Sequence, residues 1–338
     1  VTAARLPDSR SSRAILLTVV ASLLGLALLV WQVGRVGLDE IGKGFAAVGT
    51  GFVLVLVLSF ARFVLRAAAW RALIPRPVRL RSAIGAVMAG DALGNLTPLS
   101  ILVGEPAKAM YLSRDVSRSG AFSTLTAENF FYSVSVAVYV ILGTAAMLAA
   151  FPVPPGLREA GIVALVMMAG VLAVAAWMAW QRPSVVSVVM SHVPIARLRA
   201  MVDRVRAFEV ETYGSAGREG GRLFVVLVAE AAFHVLSYLE VWYVLWLLTG
   251  ESLPLQAFVL DTFSRIVNVV FKVIPLRLGV DESVSSAVAD AISLTSAVGL
   301  TVALVRKGRM LVWSVVGLVL MARRGLTSPA GPPSPSTS

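Results

Sequence analysis

Apolar runs about as long as a bilayer is thick, separated by short basic segments, set the rhythm of this chain. The runs Ile15 to Val33, Phe52 to Arg71, Phe122 to Ala149, Gly161 to Trp180, Leu223 to Leu248, Glu282 to Val305 and Met310 to Ala322 predict about seven spanning helices. Two stretches break the rhythm. Gly90 to Leu112 carries Asp91, Asn95, Pro98, Glu105 and Lys108, a set that a lipid-exposed helix does not tolerate. Ala257 to Ala291 repeats that layout, because Pro98 is followed seven residues later by Glu105 and Pro275 seven residues later by Glu282. Seven residues before each proline stand Asp91 and Asn268, and three before stand Asn95 and Lys272, so polar groups recur on one face of each approach helix. A duplicated, broken, polar segment predicts two re-entrant hairpins at a transport site.

The pattern predicts an all-α polytopic membrane protein built as an inverted repeat. Residues 1–44 hold the N-terminal segment with its first helix, and residues 45–180 a first repeat with a re-entrant motif at 82–112. Residues 181–222 form a cytoplasmic loop, residues 223–324 a second repeat with its motif at 255–283, and residues 325–338 a disordered tail. Span, hairpin, span, span from Phe52 is followed by the same order, inverted, from Leu223. The final span is short, and this topology leaves Arg323 and Arg324 outside, against the preference of basic residues for the cytoplasmic side.

Composition fixes the solvent. With 57% hydrophobic residues, 14% charged residues and a mean hydropathy of +0.83 over 338 residues, the bilayer takes the place of water. The net charge of +11 follows from basic loops rather than nucleic-acid binding, and basic–aromatic RNA motifs are absent. The charge rule places the N-terminus inside, with Arg5, Arg10 and Arg13 ahead of a run too long for a removed signal peptide. Cytoplasmic placement also follows for Gln181 to Arg222, in which Leu198, Met201, Val202, Val205 and Phe208 trace an amphipathic helix. The segment Gly34 to Gly44, with balanced charges, is expected as an outer loop, and Arg306, Lys307 and Arg309 as an inner one. Without cysteine there is no disulfide, thiolate metal site or cysteine nucleophile.

The candidate substrate-binding residues are the polar groups that these helices carry into the bilayer. Arg62 and Arg66 share a helix face, and either snorkel to the headgroups or enter a cavity. Glu128 opens a stripe with Tyr132, Ser135 and Tyr139. Asp261, Arg265, Asn268 and Lys272 form a second stripe at offsets of four, three and four, and Arg265 can pair with Asp261. Glu105 and Glu282 can receive a cationic headgroup, pair with nearby bases, carry a proton or cap the helices that follow the breaks. Glu230 and His234, four apart, fit an interior hydrogen-bonded pair better than a metal site, since no third ligand is near. No cofactor motif is present: there is no Walker lysine loop, nucleophile elbow or zinc-protease helix.

GNLTPLSILVGEPAKAMYL, with VIPLRLGVDES in the second half, resembles the lysylphosphatidylglycerol synthase transmembrane-region family, which includes the flippase half of multiple-peptide-resistance proteins. The likeness rests on Asn95, Thr97, Pro98, Gly104, Glu105, Pro106, Lys108, Tyr111 and Leu112, then Pro275, Gly279 and Glu282. It implies a bacterial-type cell-membrane protein that moves anionic, aminoacylated or glycosylated (polyprenyl-type) lipids between leaflets. Membrane lipids are its implied partners, together with a separate lipid-modifying enzyme, because the soluble aminoacyl-transfer domain of fused relatives is not in these residues. Val103 stands where relatives commonly have the first glycine of a pair, which leaves the lipid open. A membrane transferase or phosphatase acting on lipid-linked substrates, and an ion-coupled carrier of a small solute, are the alternative functions.

Overall fold

The computed structural model describes residues 30, 31, 33 and 34, then 38–74, 78–97, 100–112, 118–181, 220–272 and 274–326. Most of the expected first span, Pro98, the amphipathic segment in 181–219 and the tail after residue 326 lie outside these residues. The described elements are helical throughout: α1 (Leu38–Val48), α2 (Phe52–Leu73), α3 (Leu80–Leu96), α4 (Ser100–Tyr111), α5 (Arg118–Ala150), α6 (Pro155–Gln181), α7 (Gly220–Thr249), α8 (Pro254–Val270), α9 (Val280–Ala291) and α10 (Ser296–Leu326). Four helical segments are long and apolar enough to cross a membrane: Ile41–Leu73, Thr124–Ala150, Pro155–Trp177 and Gly221–Thr249. The segment expected as an outer loop is therefore helical from Leu38, and runs through a 3-10 turn at Gly49–Gly51 into α2.

Polarity is arranged as a bilayer demands. Val53, Val166 and Phe224 stand exposed on outer faces, whereas Glu128, Glu230, Glu240, Asp261 and Glu282 are buried. In water the reverse would hold, because an apolar outer face gains nothing there and a buried carboxylate loses its hydration.

The two polar stretches fold as helix pairs. Thr97, just ahead of Pro98, is extended as a residue before proline prefers, so α3 ends there and α4 turns back against it. The two pack closely because Gly90 and Gly104 lie backbone to backbone; a Cβ on Gly104 would come within 2.9 Å of the Gly90 carbonyl. In the second pair, Pro254 opens α8 and the chain breaks after Val270. A 3-10 turn at Pro275–Arg277 follows, in which Leu276 and Arg277 both hold positive φ, 54° and 51°. Gly279, at φ 78°, then leads into α9, where only a residue without Cβ adopts that backbone freely.

The bundle is tied together by α10. This single 31-residue helix packs on α9 through Gly299 and on α3 through Gly317, whose added Cβ atoms would strike the Ser285 and Met88 carbonyls. Residues 282–322 were expected as two spans joined by a basic inner loop, and the structure corrects both halves of that expectation. The chain breaks earlier, at Ser293 with φ 66°, and then runs unbroken through Arg306, Lys307 and Arg309. Those charges mark no loop because acids distant in sequence neutralise two of them: Glu282 meets Lys307, and Glu240 meets Arg309.

Candidate functional site

The site is assembled where α2, α5, α7, α8 and α10 converge. From α2, Arg62 and Arg66 point inward rather than to the headgroups. The Arg66 guanidinium donates to both oxygens of Glu128, at 3.0 and 3.3 Å, and lies 4.4 Å from the centre of the Tyr132 ring. The Arg62 Nη1 donates to Glu240 Oε2 at 3.3 Å, and the guanidinium sits over the Phe233 ring at 4.6 Å. Arg309 donates to that same Glu240 oxygen at 3.0 Å, so one carboxylate serves two guanidiniums.

The stripe holds on α8 from Asp261 to Asn268, while Lys272 falls in the turn after the helix ends at Val270. Arg265 donates to Asp261 Oδ2 through Nε at 3.1 Å and Nη2 at 2.9 Å, and Ser237 of α7 donates to Oδ1 at 2.8 Å. Arg265 also lies 4.3 Å from the Tyr139 ring centre. Asp261, Arg265, Asn268 and Lys272 all line one cavity of about 70 Å³, with Arg62, Tyr132, Ser237 and Arg306. That volume is roughly two water molecules' share. Four of the lining side chains are cationic and one, Asp261, is anionic. Asp261 is held by Arg265, while among the described residues no ion pair or hydrogen bond joins Lys272 or Arg306 to another group. A larger apolar groove of about 490 Å³ lies outside, between α2 and α7, and its lining, which includes Phe60, Val64 and Leu236, offers only contact for hydrocarbon.

The tips of the two helix pairs meet beside this cavity. Asn95 donates to Asp91 at 3.0 Å and accepts from Arg277 Nη2 at 3.4 Å. Glu105 accepts from Lys108, three residues on, at 2.7 Å; it lies in the second turn of α4 rather than the first, which removes the capping role. Glu282, in the first turn of α9 and wholly buried, meets Lys307 at 2.6 Å. Lys307 also donates to the Arg277 carbonyl at 3.2 Å, holding the strained turn after Pro275. Both glutamates thus pair with bases, though with lysines not foreseen as their partners. Glu230 and His234 meet through Ser135, at 3.3 and 2.9 Å, rather than each other. Among the described residues no cluster of acids and histidines is suited to a metal ion.

Of the candidates, Arg62, Asp261, Arg265, Asn268 and Lys272 come together at the cavity. Asp91, Asn95, Glu105, Lys108, Pro275 and Glu282 gather at the adjoining tips, and Arg66 with Glu128 forms a separate buried pair. Sequence reasoning missed Arg306, Glu240 and Ser237. The signal for the last two was present, since Glu230, His234, Ser237 and Glu240 follow helical spacing within an apolar run.

Residues 15–317 match the family described as lysylphosphatidylglycerol synthase TM region. The chain belongs to this family. Its match covers every described helix that contributes to the cavity, from Arg62 of α2 to Arg306 of α10. No curated protein and no solved structure matches this family member.

Proposed function

We propose that this member of the lysylphosphatidylglycerol synthase TM region family is a lipid flippase or transporter that carries a lipid with an anionic headgroup between leaflets. The observation that carries the reading is the excess of cations around the cavity, with Lys272 and Arg306 in no ion pair or hydrogen bond among the described residues. A headgroup crossing hydrocarbon needs protein groups in place of its water, and guanidinium and ammonium groups supply them to phosphate. The cavity as it stands holds an ion-sized group, so passage of a whole headgroup requires α8 and α10 to separate from α2.

The topology that fits this function has six spans, namely residues 15–33, α2, α5, α6, α7 and α10, with α3–α4 and α8–α9 as re-entrant hairpins from opposite sides. With the N-terminus inside, this arrangement ends α10 inside. Arg323 and Arg324 then obey the charge rule that the two-span reading violated. A bacterial-type plasma membrane is the setting, and α2–α5 and α7–α10 are the inverted halves.

Reconstitution into liposomes with fluorescent anionic lipid, followed by leaflet-selective quenching, tests the function. Transfer should exceed that of protein-free vesicles and fall at least tenfold when Arg265 becomes Gln, which removes a charge-assisted hydrogen-bond donor. Transfer at the protein-free rate sinks the reading.

A further inference from the structure

Charge accounting at the cavity narrows the headgroup, on the footing of the lipid-transport reading. Asp261 accepts two N–H groups from Arg265 and one hydroxyl from Ser237, so it has no capacity left for a ligand cation. Glu240, behind Arg62, is shared by two guanidiniums. Arg306 acts electrostatically on Asp261, which Arg265 already holds, and Lys272 on Glu105, which Lys108 already holds. Two positive charges therefore remain uncommitted, the half-buried Arg306 of α10 and the exposed Lys272, and the Asn268 amide of α8 shares their lining. Arg62 adds a buried Nε–H with no acceptor. A buried donor without an acceptor calls for one from a ligand.

A ligand with one negative charge leaves one of these cations unmatched. An aminoacylated phosphodiester brings its own ammonium groups into a lining with no free carboxylate, where like charges repel. We infer that the cavity is built for a phosphate carrying two or more negative charges, a lipid phosphomonoester or diphosphate, and that it selects against aminoacylated lipids. Lys272 and Arg306 are the specificity-determining residues, since together they answer two charges, of which a phosphodiester supplies one.

The test is binding to the full-length purified protein by native mass spectrometry and by ligand-dependent melting. Its probes are phosphatidic acid, phosphatidylglycerol, lysylphosphatidylglycerol and inorganic pyrophosphate. Phosphatidic acid should bind about ten- to a hundredfold tighter than phosphatidylglycerol, with the lysylated lipid weakest. Lys272→Gln, at an exposed position that tolerates change, and Arg306→Gln should each weaken phosphatidic acid more than phosphatidylglycerol, so that the ratio between the two falls toward one. Equal binding of the two anionic lipids, or strongest binding of the lysylated lipid, overturns the inference even if flipping persists. If pyrophosphate shifts melting and no lipid does, the dianion chemistry stands and the lipid reading falls.

Discussion

Replacing Lys307 with Met tests whether the basic run within α10 is neutralised internally. Glu282 is fully buried and the Lys307 side chain 8% exposed, so removing the ammonium leaves a carboxylate with no counter-charge and no route to water. Breaking one side of such a pair costs about 3–5 kcal/mol. The lost bond from Lys307 to the Arg277 carbonyl adds about 1 kcal/mol. Glu282→Gln alone should also be costly, because it strands the ammonium instead. The double variant Lys307→Met/Glu282→Gln removes both charges and retains only the loss at the Arg277 carbonyl. It should therefore be more stable than Lys307→Met by about 3–5 kcal/mol. Equilibrium unfolding in mixed detergent micelles measures all three against the parent protein. Additive effects, with a coupling energy below about 0.5 kcal/mol, would show that the pair is not formed in the bilayer and that α10 is organised otherwise.

Glu105→Gln should leave stability within about 1 kcal/mol, because Glu105 is partly exposed and its one ion pair is the short one with Lys108, yet slow lipid transfer in the quenching assay; a large stability loss at a normal transfer rate contradicts this. Gly90→Val should destabilise by about 1–3 kcal/mol in the same unfolding assay, since its Cβ meets the Gly104 carbonyl and Lys108, and an unchanged midpoint counts against the close α3–α4 packing. Single cysteines replacing Arg114, Arg199 and Arg323 should react with impermeant maleimide only from the cytoplasmic side, and one replacing Gly156 only from outside. External reaction at 323 means that the C-terminal helix does not end inside, and external reaction at 114 that α3–α4 crosses the membrane.

Much of this architecture was legible because a bilayer punishes polar groups so heavily that their positions carry meaning. The α8 stripe, from Asp261 to Asn268, was readable from period alone, and so was the Arg265–Asp261 pair, since helical spacing determines both; Lys272 reaches the same cavity from the turn after α8. What failed was the reading of Arg306, Lys307 and Arg309. Three bases in four residues satisfy the charge rule for a loop, and only their long-range partners Glu282 and Glu240 show that they lie within a helix. Such neutralisation is invisible to local pattern. The same holds for Glu105, whose place in the second turn of α4 depends on where that helix starts. The inward turn of Arg62 and Arg66 was undecidable from the chain, because snorkelling and burial use the same spacing.

From Gly299 to Gly317, α10 advances about 27 Å at 1.5 Å per residue, close to the hydrocarbon thickness of about 30 Å. One end is seated on α9 and the other on α3, so a single rigid rod carries the attachment points of both helix pairs. It works as a gauge block for the bundle: the spacing of the two pairs along the α10 axis is set by counting residues in one helix. Inserting one alanine between those glycines would turn one seat by about 100° relative to the other. A displacement of the rod itself therefore shifts the seats of both pairs together.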